Sequence, residues 1–342
     1  MVPGTVDVHT KIPVTIITGF LGAGKTTLLS RLVKECSGKR IAVIQNEVSE
    51  EMGIESAVLT DSSGKIIPDF FELPNGCICC SAKDDMIVTL ENIVSLGRER
   101  IDAIVVETTG IADPCSVSEI FWVDSEVCSV FQLDGIVAVV DCVNFLTVVS
   151  SDHALEHSEI GRRQVAIADR ILLNKTDIAS PESVAATEAL VASLNPAAEI
   201  IITKGAEVDA DWVLNIGSFS HQRNLVQVAH FHSPSTVDHV FLSFPSALFD
   251  RRQLEAAIGE LIWEETGCGK IFRSKGLFRD QDGLWYLLQS VGALFETTPL
   301  PSAADVESNV AGDAKFLFIG HQLSKELIQA RIRPLHSDKA GK

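Results

Sequence analysis

The sequence predicts an α/β chain: a doubly wound, mostly parallel sheet over roughly the first two thirds, followed by a second, smaller α+β domain. Three observations predict it. Apolar, β-branched runs that end in polar residues alternate with segments of helical spacing. A glycine-rich turn joins the first run to the first helical segment, and the rhythm changes after about residue 206.

Residues 12 to 18, "IPVTIIT", form the first strand, and "TTLLSRLVKE", with Leu28, Leu29 and Leu32 on one face, forms the helix behind it. "RIAVIQNE" (40–47), "IDAIVVETTG" (101–110), "LDGIVAVVD" (133–141), "RILLNKTD" (170–177) and "AEIIITKG" (198–205) are continuous apolar runs, as expected of strands buried on both faces. Helices are expected over 85–99 and over 181–194, the second capped by Ser180 with Pro181 in its first turn. Ligands of such a sheet gather at the carboxyl ends of its strands. After a polar linker, "VFLSFPSALF", the amphipathic "RRQLEAAIGELIWEE", "GKIFRSKGLF", "GLWYLLQSVGALFE", "KFLFIGHQL" and "SKELIQARI" outline the smaller domain. The expected division is a tail at 1–10, the sheet domain at 11–215, the linker at 216–236, the C-terminal domain at 237–335 and a tail at 336–342.

With 342 residues, 46% of them hydrophobic, the chain fills two cores. Its formal charge of -18 repels a phosphate backbone, so nucleic acid is not an expected partner. No run approaches the roughly 20 apolar residues of a membrane span, and the apolar stretch 12–23 lacks a basic region before it. A soluble, intracellular protein with reduced thiols is expected. Of eight cysteines, Cys36, Cys115, Cys128, Cys142 and Cys268 are scattered among apolar residues and read as small buried hydrophobes.

"GFLGAGKT" (19–26) matches G-x-x-x-x-G-K-[ST] at the strand-to-helix turn that the motif requires. Glycines let consecutive N–H groups of Gly22, Ala23, Gly24, Lys25, Thr26 and Thr27 converge on phosphate oxygens at the positive end of a helix. Lys25 brings charge to the outer phosphates, and the Thr26 hydroxyl can ligate Mg²⁺. "VVETTG" puts Glu107 at a strand tip, where an acid holds Mg²⁺ or its water; Thr108 to Gly110 follow as the loop that senses the third phosphate. Lys25 and Glu107 are the expected catalytic pair. In "NKTD", about 150 residues after the phosphate loop, the Asp177 carboxylate can accept both the N1–H and the 2-amino hydrogens of guanine. Lys175 is expected along the base, and Asn174 either braces the loop or touches the base. The nucleotide is therefore GTP, with GDP as product.

"NGCICC" (75–80) sets Cys77, Cys79 and Cys80 before a helix, and closely spaced thiolates suit Zn²⁺. Three thiols leave a tetrahedral position for water, for Glu47 or for an incoming protein ligand. A redox pair or simple packing are the other readings. His153 and His157, four apart, can share a metal or form a solvated face; His230 and His232 lie in the linker; Asp141 caps a strand or touches the loop of residues 108–110.

Together "GFLGAGKTTLL", "ETTGIADP", "GCICC", "RQVAIADRILLNKTD" and "FRSKG…FLFIGHQL" resemble the CobW family of P-loop GTPases, whose hallmark is C-x-C-C between phosphate loop and acid-bearing strand. "FWVDSEV" and "LDGIVAVVD" are most similar to its eukaryotic branch, the zinc-regulated GTPase metalloprotein activators. The resemblance runs from about residue 11 to 333 and implies a GTPase that carries Zn²⁺ to client metalloproteins; the expected location is the cytoplasm, with the nucleus as the alternative. It also implies a CobW-type C-terminal domain. Two departures stand out. "NEVSE" puts Val48 and Ser49 where the family has Phe and Gly. The branch docks a zinc-dependent methionine aminopeptidase through an N-terminal Cys-Pro segment, and "MVPGTVDVHTK" has no cysteine.

The expected activity is that of a GTP-hydrolysing zinc metallochaperone whose hold on the metal depends on the nucleotide. Two alternatives stay open: the same GTPase inserting Co²⁺ or Ni²⁺, which affinity order alone does not exclude, and a nucleotide-gated protein-binding module with little hydrolysis.

Overall fold

The first apolar run lies in the middle of an eight-stranded sheet. In the computed structural model, residues 11–35, 39–45, 55–60, 66–73, 82–95, 101–123, 125–150, 155–218, 237–264, 266–300, 313–333 and 336–338 are described. The strands are β1 (Ile12–Thr18), β2 (Ile41–Gln45), β3 (Glu55–Thr60), β4 (Ile66–Leu73), β5 (Ala103–Glu107), β6 (Phe131–Asp141), β7 (Arg170–Asn174) and β8 (Glu199–Ile202), in the order β4-β3-β2-β5-β1-β6-β7-β8. From β2 to β8 all pairs are parallel, while β3 and β4 extend the sheet antiparallel. Helices α1 (Lys25–Glu35), α2 (Ala82–Ser95), α3 (Pro114–Ser118), α4 (Ile120–Val123), α5 (Ser125–Val130), α6 (Phe145–Val149), α7 (Leu155–Ile167), α8 (Pro181–Leu194) and α9 (Ala210–Val213) connect them.

The unbroken apolar runs are explained by two cores, one on each face. Val14 and Ile16 of β1 face Val106, Ile136, Ala138 and Ile171, whereas Ile17 faces Leu28, Leu29 and Leu32 of α1 with Val105, Val137 and Leu172. β8 differs from the expectation. It is an edge strand with a single neighbour, and Ile202 is 49% exposed. α8 starts as expected, with the Ser180 side chain accepting from Ser183 N and Pro181 in the first turn. α2 starts earlier than expected and ends at Ser95.

The C-terminal domain is a mostly antiparallel seven-stranded sheet. It contains β9 (Asp238–Phe244), β10 (Ala247–Phe249), β11 (Lys270–Asp280), β12 (Trp285–Val291), β13 (Leu294–Pro299), β14 (Ala314–His321) and β15 (His336–Asp338), with helices α10 (Arg251–Trp263) and α11 (Lys325–Ile332). Leu254, Ile258, Leu261, Ile328 and Ile332 of the helices bury against Phe244, Phe249, Phe278 and Phe316. The other sheet face joins the first domain: Phe272, Val291, Leu317 and Ile319 belong to the core built on β1 and α7. Arg273 crosses the boundary to the carboxylate of Asp169, which also accepts from Lys275 at 3.1 Å and from Ile136 N at 3.0 Å. Burial pushes the Asp169 carboxyl up, but the two cations and these hydrogen bonds outweigh it and hold the group below the ordinary carboxylate value. No helix among the described residues is long and apolar enough to cross a membrane.

Candidate functional site

Strand order reverses direction at β1, which has β5 and β2 on one side and β6 and β7 on the other. A crevice opens at the carboxyl end of such a strand, and residues 19–24 fill that turn. Gly19 runs at φ +141° and a Cβ there would fall 2.2 Å from Val139 O, so only glycine fits. Gly24, at φ +109°, leaves 2.4 Å between a notional Cβ and Asn174 Nδ2. Ala23 N donates to Phe20 O at 3.1 Å, closing the loop. Lys25 Nζ donates to Gly19 O at 2.8 Å and to Phe20 O at 3.4 Å, so its charge sits over the loop that the motif assigns to phosphates.

Thr26 Oγ1 donates to Glu107 Oε1 at 3.1 Å. The sequence predicted both residues for one cation, and β5 beside β1 brings them together. A hydroxyl and a carboxylate 4% exposed form a hard-oxygen donor set that fits Mg²⁺. Thr108 N donates to Ile17 O at 2.9 Å and Thr108 Oγ1 lies 3.1 Å from Thr18 Oγ1, which pins the start of the 108–110 segment to β1.

The "NKTD" end of β7 meets the phosphate loop directly. Asn174, 2% exposed, donates through Nδ2 to Ala23 O at 3.0 Å and accepts through Oδ1 from Ala206 N at 2.8 Å. These two bonds brace the phosphate loop against the end of β7. Lys175 adopts φ +64° and its Nζ lies 2.8 Å from Asp141 Oδ2. Asp141 also accepts from Asn144 Nδ2 and Val143 N; burial raises its carboxyl, yet these partners bring it below the ordinary value. Asp141 thus aims Lys175, a role the sequence did not single out. Asp177 is exposed beyond Thr176, whose hydroxyl donates to Thr203 O at 2.9 Å.

Sequence reasoning missed Gln164 and Arg163 of α7. Gln164 Nε2 donates to Gly110 O at 3.2 Å and Ala112 O at 3.3 Å, and Arg163 Nη1 pairs with Asp113 at 2.9 Å. A glutamine heading the apolar run "QVAIA" was the available signal.

Cys77, Cys79, Cys80 and Glu47 lie outside the described residues, as do His153, His230, His232 and Cys36. The strand before the thiols is β4, not the second parallel strand, because the β3–β4 hairpin intervenes. β4 runs in the same direction as β2, so Leu73 ends at the same sheet edge as Gln45 and Glu107. Cys115, Cys142 and Cys268 are buried, as expected of small hydrophobes. Burial pushes the Cys115 thiol up to about 12 and that of Cys142 up to about 11, so neither offers a thiolate. Among the described residues no group of three or more His, Cys, Asp or Glu side chains could hold a metal. His157 packs its ring edge-on against Phe20 at 5.5 Å.

A parallel sheet with this turn, this base-side loop and this buried acid defines a P-loop nucleotide-binding protein. Residues 13–202 match the CobW/HypB/UreG nucleotide-binding domain and residues 240–335 the cobalamin synthesis protein cobW C-terminal domain; the chain belongs to the CobW family. It is 35% identical to zinc-regulated GTPase metalloprotein activator 1 of Schizosaccharomyces pombe, over 84% of this chain and 77% of that one. It is 33% identical to the zinc chaperone YjiA of Escherichia coli, over 93% and 97%. The crystal structure of Zn(II)-bound YjiA GTPase from E. coli superposes with a TM-score of 0.72 at 26% identity, covering 96% of this chain and 100% of that one.

Proposed function

We propose that this protein is a GTP-hydrolysing zinc chaperone: it binds GTP, cleaves it to GDP and phosphate, and passes Zn²⁺ to a client metalloprotein. The observation that carries the reading is the Thr26–Glu107 contact beside a loop braced by Asn174. N–H groups of Gly22 to Thr27 receive the phosphates, Lys25 offsets their charge, and Asp177 accepts the guanine edge while Lys175 lies along the base. Thr26 and Glu107 would hold Mg²⁺, which supplies charge neutralisation on the outer phosphates. Water adds to the γ-phosphorus as its bond to the β–γ bridging oxygen breaks; the electron pair leaves with GDP, and the protons of the water leave with the phosphate as H2PO4⁻. Names of relatives that describe zinc-regulated GTPases and zinc chaperones support this assignment.

Zn²⁺ is the cargo, held by thiolates of Cys77, Cys79 and Cys80 with Glu47 as the fourth donor in one state. The β4 edge lies four strand spacings from β1, about 19 Å at roughly 4.8 Å each. In this reading the segment after β2, which carries Glu47, links metal and phosphate. If GTP and zinc favour the same loop arrangement, each tightens the other by one factor, about 5- to 150-fold. Hydrolysis then loosens the metal, and a cytoplasmic or nuclear client receives it. The units acting on each other are residues 11–215 and 237–335, the second extended by β15, which pairs with its β10. Metal analysis of purified protein and of its Cys77→Ala, Cys79→Ala and Cys80→Ala variants, with GTP turnover on the same samples, tests the assignment. One equivalent of zinc lost in the variants is expected; full zinc content in all three refutes it.

A further inference from the structure

Residues 107–113 lead from the phosphate site into α3, and the exit of this segment is held by α7. Gln164, 2% exposed, donates through Nε2 to the carbonyls of Gly110 and Ala112. Gly110 itself passes so close to the phosphate loop that a Cβ there would fall 2.5 Å from Leu21 N. Next along α7, Arg163 pairs with Asp113, the residue whose carboxylate caps α3 by accepting from Cys115 N at 3.0 Å. The same guanidinium stacks 4.8 Å from the ring centroid of Phe272 in β11, so one side chain touches the 107–113 segment and the C-terminal sheet at once.

Two more contacts reinforce that junction. The turn between β12 and β13 rests on α3, with Gly292 placed so that a Cβ would come 3.1 Å from Cys115 Cβ. At the end of α7, Ile167 O accepts from Arg273, whose other arm reaches Asp169. Any shift of Gly110 toward a third phosphate must therefore carry Gln164 with it or break its bonds, and α7 cannot move without disturbing Phe272 and Arg273.

We propose that Gln164 and Arg163 are positioning residues for recognition of the third phosphate, and that the C-terminal domain, through Phe272, holds them in place and so sets the preference for GTP over GDP. This rests on the GTPase reading above. It assigns the C-terminal domain a part in the nucleotide cycle, and by reciprocity a ligand of that domain that moves β11 changes GTP affinity by the factor with which GTP changes its own.

The test uses the full chain. Affinities for GDP and for a non-hydrolysable GTP analogue are measured with Mg²⁺ for wild type, Gln164→Ala, Arg163→Ala, Arg163→Lys and Phe272→Leu, with thermal melting to confirm folding. Arg163 is partly exposed, so its variants report even where a change at buried Phe272 lowers stability. Expected is a loss of analogue affinity of about 5- to 20-fold in Gln164→Ala, Arg163→Ala and Phe272→Leu, with GDP affinity within about twofold of wild type. Arg163→Lys, which keeps the Asp113 pair without the flat face toward Phe272, recovers part of it. Variants that weaken both nucleotides equally, or neither, overturn the proposal, and Phe272→Leu with wild-type preference overturns the part given to the C-terminal domain. Wild type that binds neither nucleotide overturns the GTPase reading and this inference with it, a result distinct from the others.

Discussion

Asn174→Ala removes the side chain that ties the phosphate loop to the end of β7 and to the loop after β8. The two bonds lost, to Ala23 O at 3.0 Å and from Ala206 N at 2.8 Å, are both buried, and the alanine methyl can replace neither. An unsatisfied buried donor or acceptor costs about 1–3 kcal/mol. The pair therefore sets a loss of roughly 2–6 kcal/mol in unfolding free energy. The loosened loop must also be ordered by the nucleotide, which costs affinity: at about 1.4 kcal/mol per decade, a share of one half predicts a roughly 5- to 140-fold weaker Kd. Urea unfolding gives the first number, and titration of GDP and inosine diphosphate gives the second. A brace weakens both nucleotides by the same factor, because it acts on phosphates and not on the 2-amino group. Unfolding within about 0.5 kcal/mol of wild type, or a loss confined to GDP, would refute the reasoning and make Asn174 a base contact.

Asp177→Asn replaces an acceptor of two N–H groups with a mixed donor and acceptor. GTP affinity should fall about 100-fold and xanthosine triphosphate, which carries a carbonyl at the 2-position, should gain, as competition binding would record. Asp169→Asn breaks a buried interdomain charge cluster and should cost roughly 3–5 kcal/mol. Because the folded Asp169 carboxyl sits below its ordinary value, its stabilisation is complete above about pH 4 and is lost as pH falls through the depressed value. Urea melts at stepped pH should show this acid limb in wild type and a flatter one in the variant.

What the sequence revealed and what it hid divide by range. The turn 19–26, the strand ends at Glu107 and Asn174, and α8 with its Ser180 cap are local patterns, each carried by 15 or fewer neighbouring residues. The β3–β4 hairpin was not legible: "IIPDFFEL" carries Pro68 and two acids, which spoil the apolar run, and a proline is tolerated because β4 is the sheet edge. β8 misled in the opposite sense, since an apolar composition does not announce how many neighbours a strand has. The brace at Asn174, the Asp141–Lys175 pair and the grip of Gln164 join residues 151, 34 and 54 positions apart, so they emerge only from the assembled sheet. The thiols were legible as chemistry alone, because three sulfurs in four positions define a ligand set whatever the backbone does.

In the proposed function the number of phosphates governs the hold on zinc. Isothermal titration of Zn²⁺ into the protein loaded with a non-hydrolysable GTP analogue, and separately with GDP, measures it directly. Binding about 5- to 150-fold tighter in the triphosphate state, and abolished in Cys77→Ala, is the predicted result; equal affinities in the two states would contradict it.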